Sequence, residues 1–183
     1  MLDLTEGEFD LDFTRGTSGD TAVQHQARAL QAEVEIGMHT LGSTGYHVTI
    51  TRRAAQRRMD DGPRTILIID DDESVRMVLG HCLGEAGYAT RLAGNRGQML
   101  MALQTPPLPD LILLDVEMPD ADGFDVLEKL RQSKVVSNIP VVMLTARCNR
   151  NDIMRGLTVG AAGYITKPAK LSVINEALRV LLG

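Results

Sequence analysis

The chain has 183 residues, a net charge of −5 and 44% apolar residues, which allows one ordinary domain with a core plus an appendage. No apolar run approaches the roughly 18 residues of a membrane span, and the acidic start lacks the layout of a signal peptide. Two cysteines exclude a disulfide framework, and the negative charge argues against broad nucleic-acid binding. Together these features predict a cytoplasmic protein.

Residues 1–62 form an N-terminal extension that resembles no family we can name. Alternating apolar residues predict a strand over 8–14, apolar steps of three and four predict an amphipathic helix over 20–41, and alternation returns over 46–51. About 60 residues make a marginal core alone, so we expect this small α/β extension to pack on the rest of the chain or on a second copy. It is therefore predicted to be a dimerisation or partner-docking element.

The sequence DDGPR at 60–64 is typical of a turn or linker, and we place a boundary there, between 1–62 and 63–183. After it, apolar runs alternate with amphipathic stretches, which predicts strands joined by helices. The predicted strands are 65–69, 88–93, 111–115, 139–146 and 163–167. Such alternation implies an α/β fold with parallel strands joined by right-handed crossovers.

Polar side chains lie where the predicted strands end. Asp70 and Asp71 follow the first of these strands, Asp115 and Thr145 end the third and fourth, and Lys167 ends the fifth. Parallel sheets bind ligands at the carboxyl ends of their strands, so we expect these groups to converge. Two carboxylates about 4 Å apart repel by roughly 4 kcal/mol at an effective dielectric near 20. A cation such as Mg²⁺, which prefers oxygen ligands, would offset that repulsion.

The whole of 63–183 resembles the receiver domain of bacterial two-component response regulators. The acid pair after the first strand, LLDVEMPDADGF after the third, LTA at the fourth and YITKP at the fifth occur in the family's order and spacing. The resemblance implies a doubly wound, flavodoxin-like sheet of five parallel strands in the order 2-1-3-4-5. A third acid, Asp72, is expected to begin the first helix of this unit, where its charge favours the positive end of the helix dipole.

The resemblance also implies a chemical role for the acids. A sensor histidine kinase or phosphotransfer protein donates a phosphoryl group, and Asp115 accepts it. Asp70, Asp71 and Asp115 hold Mg²⁺, and the backbone carbonyl of Glu117 completes the protein's share of the metal ligands. The chain is then a phosphoprotein of a phosphorelay that catalyses only its own phosphorylation and dephosphorylation.

The resemblance assigns the remaining site residues to a switch. Thr145 hydrogen-bonds the phosphoryl group, Lys167 pairs with the carboxylate or a phosphoryl oxygen, and Tyr164 moves into space that Thr145 leaves. Glu117 and Arg147 flank the path of attacking water in this family. Here they carry opposite charges, so they either pair across the mouth of the site or remain two solvated surface charges.

The output is less constrained by the sequence. Ala162 and Gly163 stand where transcription-factor relatives often carry acids of a charged dimer face, which argues against that dimer mode. The chain ends after the last predicted helix, so we expect no C-terminal output domain. The predicted partners are therefore the phosphodonor, a downstream protein, and a second copy bound through the extension.

Two other functions are compatible with parts of the pattern. A pseudo-receiver would only bind partners, although all five site positions are present. A phosphatase of the haloacid dehalogenase type also uses an aspartyl nucleophile after an apolar strand. That class expects a D-x-D pattern, whereas Val116 and Glu117 follow Asp115 here.

Overall fold

The structure, a computed structural model, describes residues 62–183 and the backbone of a short strand at 48–50. The strands are β1 (Val48–Ile50), β2 (Thr65–Ile69), β3 (Ala89–Ala93), β4 (Leu111–Leu114), β5 (Glu117–Met118), β6 (Ala121–Asp122), β7 (Val141–Thr145) and β8 (Gly163–Thr166). The helices are α1 (Glu73–Glu85), α2 (Arg96–Gln104), α3 (Gly123–Gln132), α4 (Arg150–Val159) and α5 (Leu171–Leu182). The strand predicted at 8–14 and the helix predicted at 20–41 lie outside the described residues.

Five parallel strands form the centre of the fold, in the order β3-β2-β4-β7-β8. Counted from residue 65, this is the order 2-1-3-4-5, so the predicted flavodoxin-like sheet is confirmed. A sixth strand, β1, pairs antiparallel with the outer edge of β8. A separate two-stranded ladder, β5 with β6, lies in the loop after β4 and was not predicted.

Helices cover both faces of the sheet because the central strands are apolar on both sides. Alternate residues of a strand point to opposite faces, so Leu67 and Ile69 pack with one core cluster and Ile66 and Ile68 with the other. The first cluster also receives buried side chains from α2, α3 and α4, and the second receives them from α1 and α5. This two-sided burial holds the strand ends at fixed positions.

The outer strand β3 differs from the central strands. It is mostly half-buried, and Leu92 on it is exposed. Within residues 62–183 and the strand at 48–50, no helix combines the length and apolar character needed to span a bilayer.

Candidate functional site

Three carboxylates converge at the carboxyl end of the sheet. Strands β2 and β4 are neighbours in register, and the Asp115 N–H donates to the Ile69 carbonyl at 2.8 Å. The residues that follow both strands are therefore adjacent. Asp70, Asp71 and Asp115 can each place an oxygen within 4.8 Å of the others, and only Asp71 of the three is exposed.

Lys167 bridges the two buried carboxylates. Its Nζ donates to Oδ2 of Asp70 at 2.6 Å and to Oδ2 of Asp115 at 3.0 Å. Burial raises the pKa of Asp115, against the opposing effect of the nearby Lys167 charge. Burial alone would lower the pKa of Lys167, but the bond to Asp70 and the charge of Asp115 outweigh it and raise that pKa. The lysine ammonium is thus held between two carboxyl groups.

The run of three aspartates divides into two functions. Asp72 is the N-cap of α1 and its side chain accepts hydrogen bonds from the Ser74 and Val75 N–H groups, as expected for the residue that begins a helix. The Asp72 N–H in turn donates to Oδ1 of Asp70 at 2.9 Å. The N-cap residue therefore also fixes the orientation of the buried Asp70 carboxylate.

Arg76 is a site residue that sequence reasoning missed. Its guanidinium donates to the backbone carbonyl of Asp70 and lies against Gly94 after β3. It lies one helical turn after Asp72 and ties α1 to the residue that follows β2. Its charge alone gave no signal, because nothing in the local pattern says that an arginine points at a backbone carbonyl.

Thr145 and Tyr164 are linked through the backbone of Arg147. Thr145 is fully buried, and its Oγ1 accepts a hydrogen bond from the Arg147 N–H at 3.2 Å. The Tyr164 hydroxyl donates to the Arg147 carbonyl at 2.9 Å. Tyr164 is itself buried, which raises the pKa of its phenol. The structure therefore shows the tyrosine in its inward position, and its predicted movement stays a prediction.

Glu117 and Arg147 face each other at the mouth of the site. Their side chains approach to 3.6 Å while remaining substantially exposed. An exposed pair of this kind contributes at most about 1 kcal/mol to stability. The structure thus has the pair, but its effect on water access and the predicted role of the Glu117 carbonyl stay predictions.

Gly123 lies directly behind the acidic site and was also missed. A Cβ at this position would collide with the Asp115 carbonyl oxygen and lie 2.6 Å from the Val116 Cα. The Gly123 N–H donates to the Val116 carbonyl at 2.9 Å, which keeps the two segments together. The glycine is therefore required by close backbone approach.

We expect Gly123→Ala to destabilise the fold by about 1–3 kcal/mol, the usual cost of overpacking, because backbone atoms cannot move aside as a flexible side chain can. Urea unfolding measures the change. The matched control is Gly84→Ala in α1, where a Cβ meets nothing within 4 Å and the fold should be slightly more stable. A Gly123→Ala protein as stable as the wild type would contradict the close approach.

The donor set fits a hard divalent cation. All three carboxylates offer oxygen atoms at one edge, and oxygen ligands are those that Mg²⁺ prefers. Asp71 is exposed, so water can complete a shell on that side. Asp70, Asp71 and Asp115 are accordingly the residues that would hold Mg²⁺.

The fold and this site define a doubly wound α/β domain with charged groups gathered at its strand ends. A family model described as the response regulator receiver domain matches residues 66–179, more than half of the chain. The chain therefore belongs to the response regulator receiver family, and the predicted resemblance is confirmed.

Curated relatives place this domain in longer proteins. The probable transcriptional regulatory protein TcrX of Mycobacterium tuberculosis is 36% identical over 69% of this chain and 53% of its own length. The phosphate regulon transcriptional regulatory protein PhoB of Pseudomonas aeruginosa is 39% identical over 65% of this chain and 52% of its own. The chain thus spans about half the length of these relatives.

Solved structures agree with the fold. The chemotaxis protein CheY4 of Vibrio cholerae superposes with a TM-score of 0.62 at 29% identity, over 66% of this chain and all of that one. The receiver domain of HemR from Leptospira biflexa gives a TM-score of 0.58 at 31% identity, over 64% of this chain and 94% of that one. Both likenesses cover about two thirds of the chain.

Proposed function

We propose that this chain is a phosphorylation-dependent switch of two-component signalling, with Asp115 as the phosphoacceptor. The phosphodonor is the phosphohistidine of a sensor histidine kinase or phosphotransfer protein. One observation carries the proposal: the Asp115 carboxylate lies at the carboxyl end of the sheet, 3.0 Å from the Lys167 ammonium and beside two further carboxylates. Family membership supports the same function.

The chemistry follows from this placement. A carboxylate oxygen of Asp115 forms a bond to phosphorus as the donor's phosphorus–nitrogen bond breaks, and the imidazole nitrogen keeps the bonding pair. Such transfers need positioning and charge neutralisation more than covalent machinery. Bound Mg²⁺ would supply neutralising charge for the transferred group. Lys167 supplies further positive charge, and the Val116 N–H holds Oδ1 of Asp115 at 2.7 Å, so the nucleophile is oriented before the donor arrives.

The switch follows from the Thr145–Arg147–Tyr164 contacts. A phosphoryl group on Asp115 brings a charge of roughly −1.5 to −2. Oγ1 of Thr145 accepts a bond from Arg147, so its own O–H can be donated to a phosphoryl oxygen. That bond would hold the loop to which Tyr164 is tied. A near-complete population change needs about 5.5 kcal/mol, which a few charge-assisted hydrogen bonds of about 1.5–3 kcal/mol each can supply.

Output is proposed to pass through protein contacts. The chain's relatives carry the receiver in proteins described as transcriptional regulators and, in Trichodesmium erythraeum, as a protein-glutamate methylesterase/protein-glutamine glutaminase. One receiver fold thus accompanies several outputs. For this chain we propose a downstream protein or a homodimer as the recipient.

Incubation of the 183-residue chain with acetyl phosphate and Mg²⁺, followed by intact mass spectrometry, tests the phosphoacceptor function. We expect one phosphoryl adduct that is absent when EDTA is added. A pseudo-receiver would give no adduct. A phosphatase of the haloacid dehalogenase type would instead hydrolyse p-nitrophenyl phosphate continuously, and either result would overturn the proposal.

Arg147→Ala is expected to shorten the life of the phosphorylated form. The Arg147 side chain pairs with Glu117 across the mouth at 3.6 Å, so removing it admits water to the acyl phosphate. Because such a pair contributes at most about 1 kcal/mol, the rate of phosphoryl loss should rise by no more than about fivefold. Loss of the adduct with time measures it. The control is Arg179→Ala, which removes an exposed pair with Glu176 on α5, and equal rates for Arg147→Ala and the wild type would exclude the effect.

A further inference from the structure

The outer edge of β8 is occupied by a strand from outside the receiver family match. Residues 48–50 pair antiparallel with 163–165, with Thr49 opposite Tyr164. Without β1, β8 would be the edge of the sheet, with free N–H and C=O groups available to another chain. We propose that β1 is an intramolecular partner of this edge, and that phosphorylation of Asp115 tightens its hold. The effect of phosphorylation on β1 rests on the proposed function.

The direction of the ladder bonds can be assigned from the neighbouring strand. The Lys167 N–H donates to the Thr145 carbonyl of β7, and Thr145 lies opposite Thr166. N–H groups two residues apart on a strand point the same way, so the Ile165 N–H also faces β7. The Tyr164 N–H and carbonyl then face β1. Tyr164 and Thr49 are accordingly the pair that exchanges both hydrogen bonds.

One residue therefore joins the strand to the phosphorylation site. The Tyr164 backbone pairs with Thr49, while its hydroxyl holds the Arg147 carbonyl, and the Arg147 N–H holds Thr145. Lys167, three residues further along, contacts Asp115 directly. Any change in β8 that follows phosphorylation consequently reaches Tyr164, the residue that pairs with the centre of β1.

The β1–β8 pairing is short enough for its occupancy to change. β1 has 3 residues, and besides β8 it lies close to α5. Short outer elements open with free energies far below that of global unfolding. A coupling of 1–3 kcal/mol, which is typical between two sites, is thus enough to change its occupancy.

The direction of the coupling follows from the observed arrangement. Tyr164 is buried in the same structure in which β1 is paired. A phosphoryl group that accepts a hydrogen bond from Thr145 stabilises the loop that contains Arg147. The hydroxyl of the buried Tyr164 is bonded to that loop. The phosphorylated state therefore favours the β8 conformation to which β1 is bonded. Because coupling is reciprocal, pairing of β1 with β8 also favours phosphorylation.

Amide hydrogen exchange in the 183-residue chain, followed by NMR, tests both the edge pairing and its coupling to phosphorylation. The Tyr164 amide, which faces β1, should be protected, and beryllium fluoride with Mg²⁺, a mimic of the phosphoryl group, should slow its exchange at least about fivefold. Thr49→Pro removes the β1 donor and should make the Tyr164 amide exchange rapidly in both conditions. The Ile165 amide, which faces β7, should stay protected and shows that the sheet is intact. Thr49→Val keeps the N–H and should behave as the wild type.

Each contrary result has a separate meaning. Unchanged protection of Tyr164 in Thr49→Pro would show that β1 does not occupy the edge, and protection that depends on protein concentration would assign the edge to a second copy. Equal exchange with and without the mimic would exclude the coupling. If the mimic also failed to shift the amides of Val116 and Ala146, the proposed function itself would fail, while the edge assignment would still be decided without the mimic.

Discussion

Asp115→Asn is expected to abolish phosphoryl uptake from acetyl phosphate. The amide has nearly the same shape but lacks the anionic oxygen that forms the bond to phosphorus. The fold should remain, because burial already disfavours the charged carboxylate, as its raised pKa shows. Intact mass spectrometry of the variant, with thermal unfolding measured in parallel, gives both results.

The matched control for this change is Asp125→Asn. Asp125 is an exposed acid of α3 that pairs with Arg155 at 3.6 Å. Its substitution removes a carboxylate of the same type and should leave uptake unchanged. Uptake that survived Asp115→Asn would show that Asp115 is not the acceptor, and equal loss of uptake in Asp125→Asn would show that the effect is not specific to position 115.

Lys167→Met is expected to separate phosphoryl transfer from metal binding. The ammonium contacts both buried carboxylates, so its loss removes the charge that would stabilise the transferred group. Loss of one such donor typically slows a reaction by about 10²–10³-fold. The affinity for Mg²⁺ should rise, because no positive charge then opposes the ion. Rates of adduct formation and calorimetric titration with Mg²⁺ measure the two effects.

The same variant should be more dependent on the ion for its stability. Removing one partner of a buried ion pair leaves uncompensated charge, at a cost of about 3–5 kcal/mol. Mg²⁺ should restore more stability to Lys167→Met than to the wild type. Lys134→Met, at an exposed position of the α3–β7 loop, is the control. A weaker affinity for Mg²⁺ in Lys167→Met would contradict this account of the lysine.

The convergence of the charged residues was predictable because it depends on topology alone. Parallel strands present their carboxyl ends at one edge, so the polar residues that end the apolar runs must meet there. Asp70, Asp115 and Lys167 needed only the strand pattern. Asp72 could be assigned to the start of a helix rather than to the site, because the predicted helix follows it directly.

Other features depend on tertiary packing that no local pattern contains. Alternation over 46–51 predicts a strand but cannot name its partner, since pairing and register are set by the other chain segment. Gly123 is required only because the Asp115 carbonyl lies where its Cβ would be. The inward position of Tyr164 likewise follows from its bond to a carbonyl seventeen residues away in sequence. These details became visible only in three dimensions.

The central claim is that a phosphoryl group is carried by Asp115, and locating that group tests it most directly. After incubation with acetyl phosphate and Mg²⁺, sodium borohydride reduces an aspartyl phosphate to homoserine, which peptide mass spectrometry places in the sequence. We predict homoserine at position 115 and none when Mg²⁺ is withheld. Homoserine elsewhere, or an adduct that forms equally well without the ion, would contradict the account.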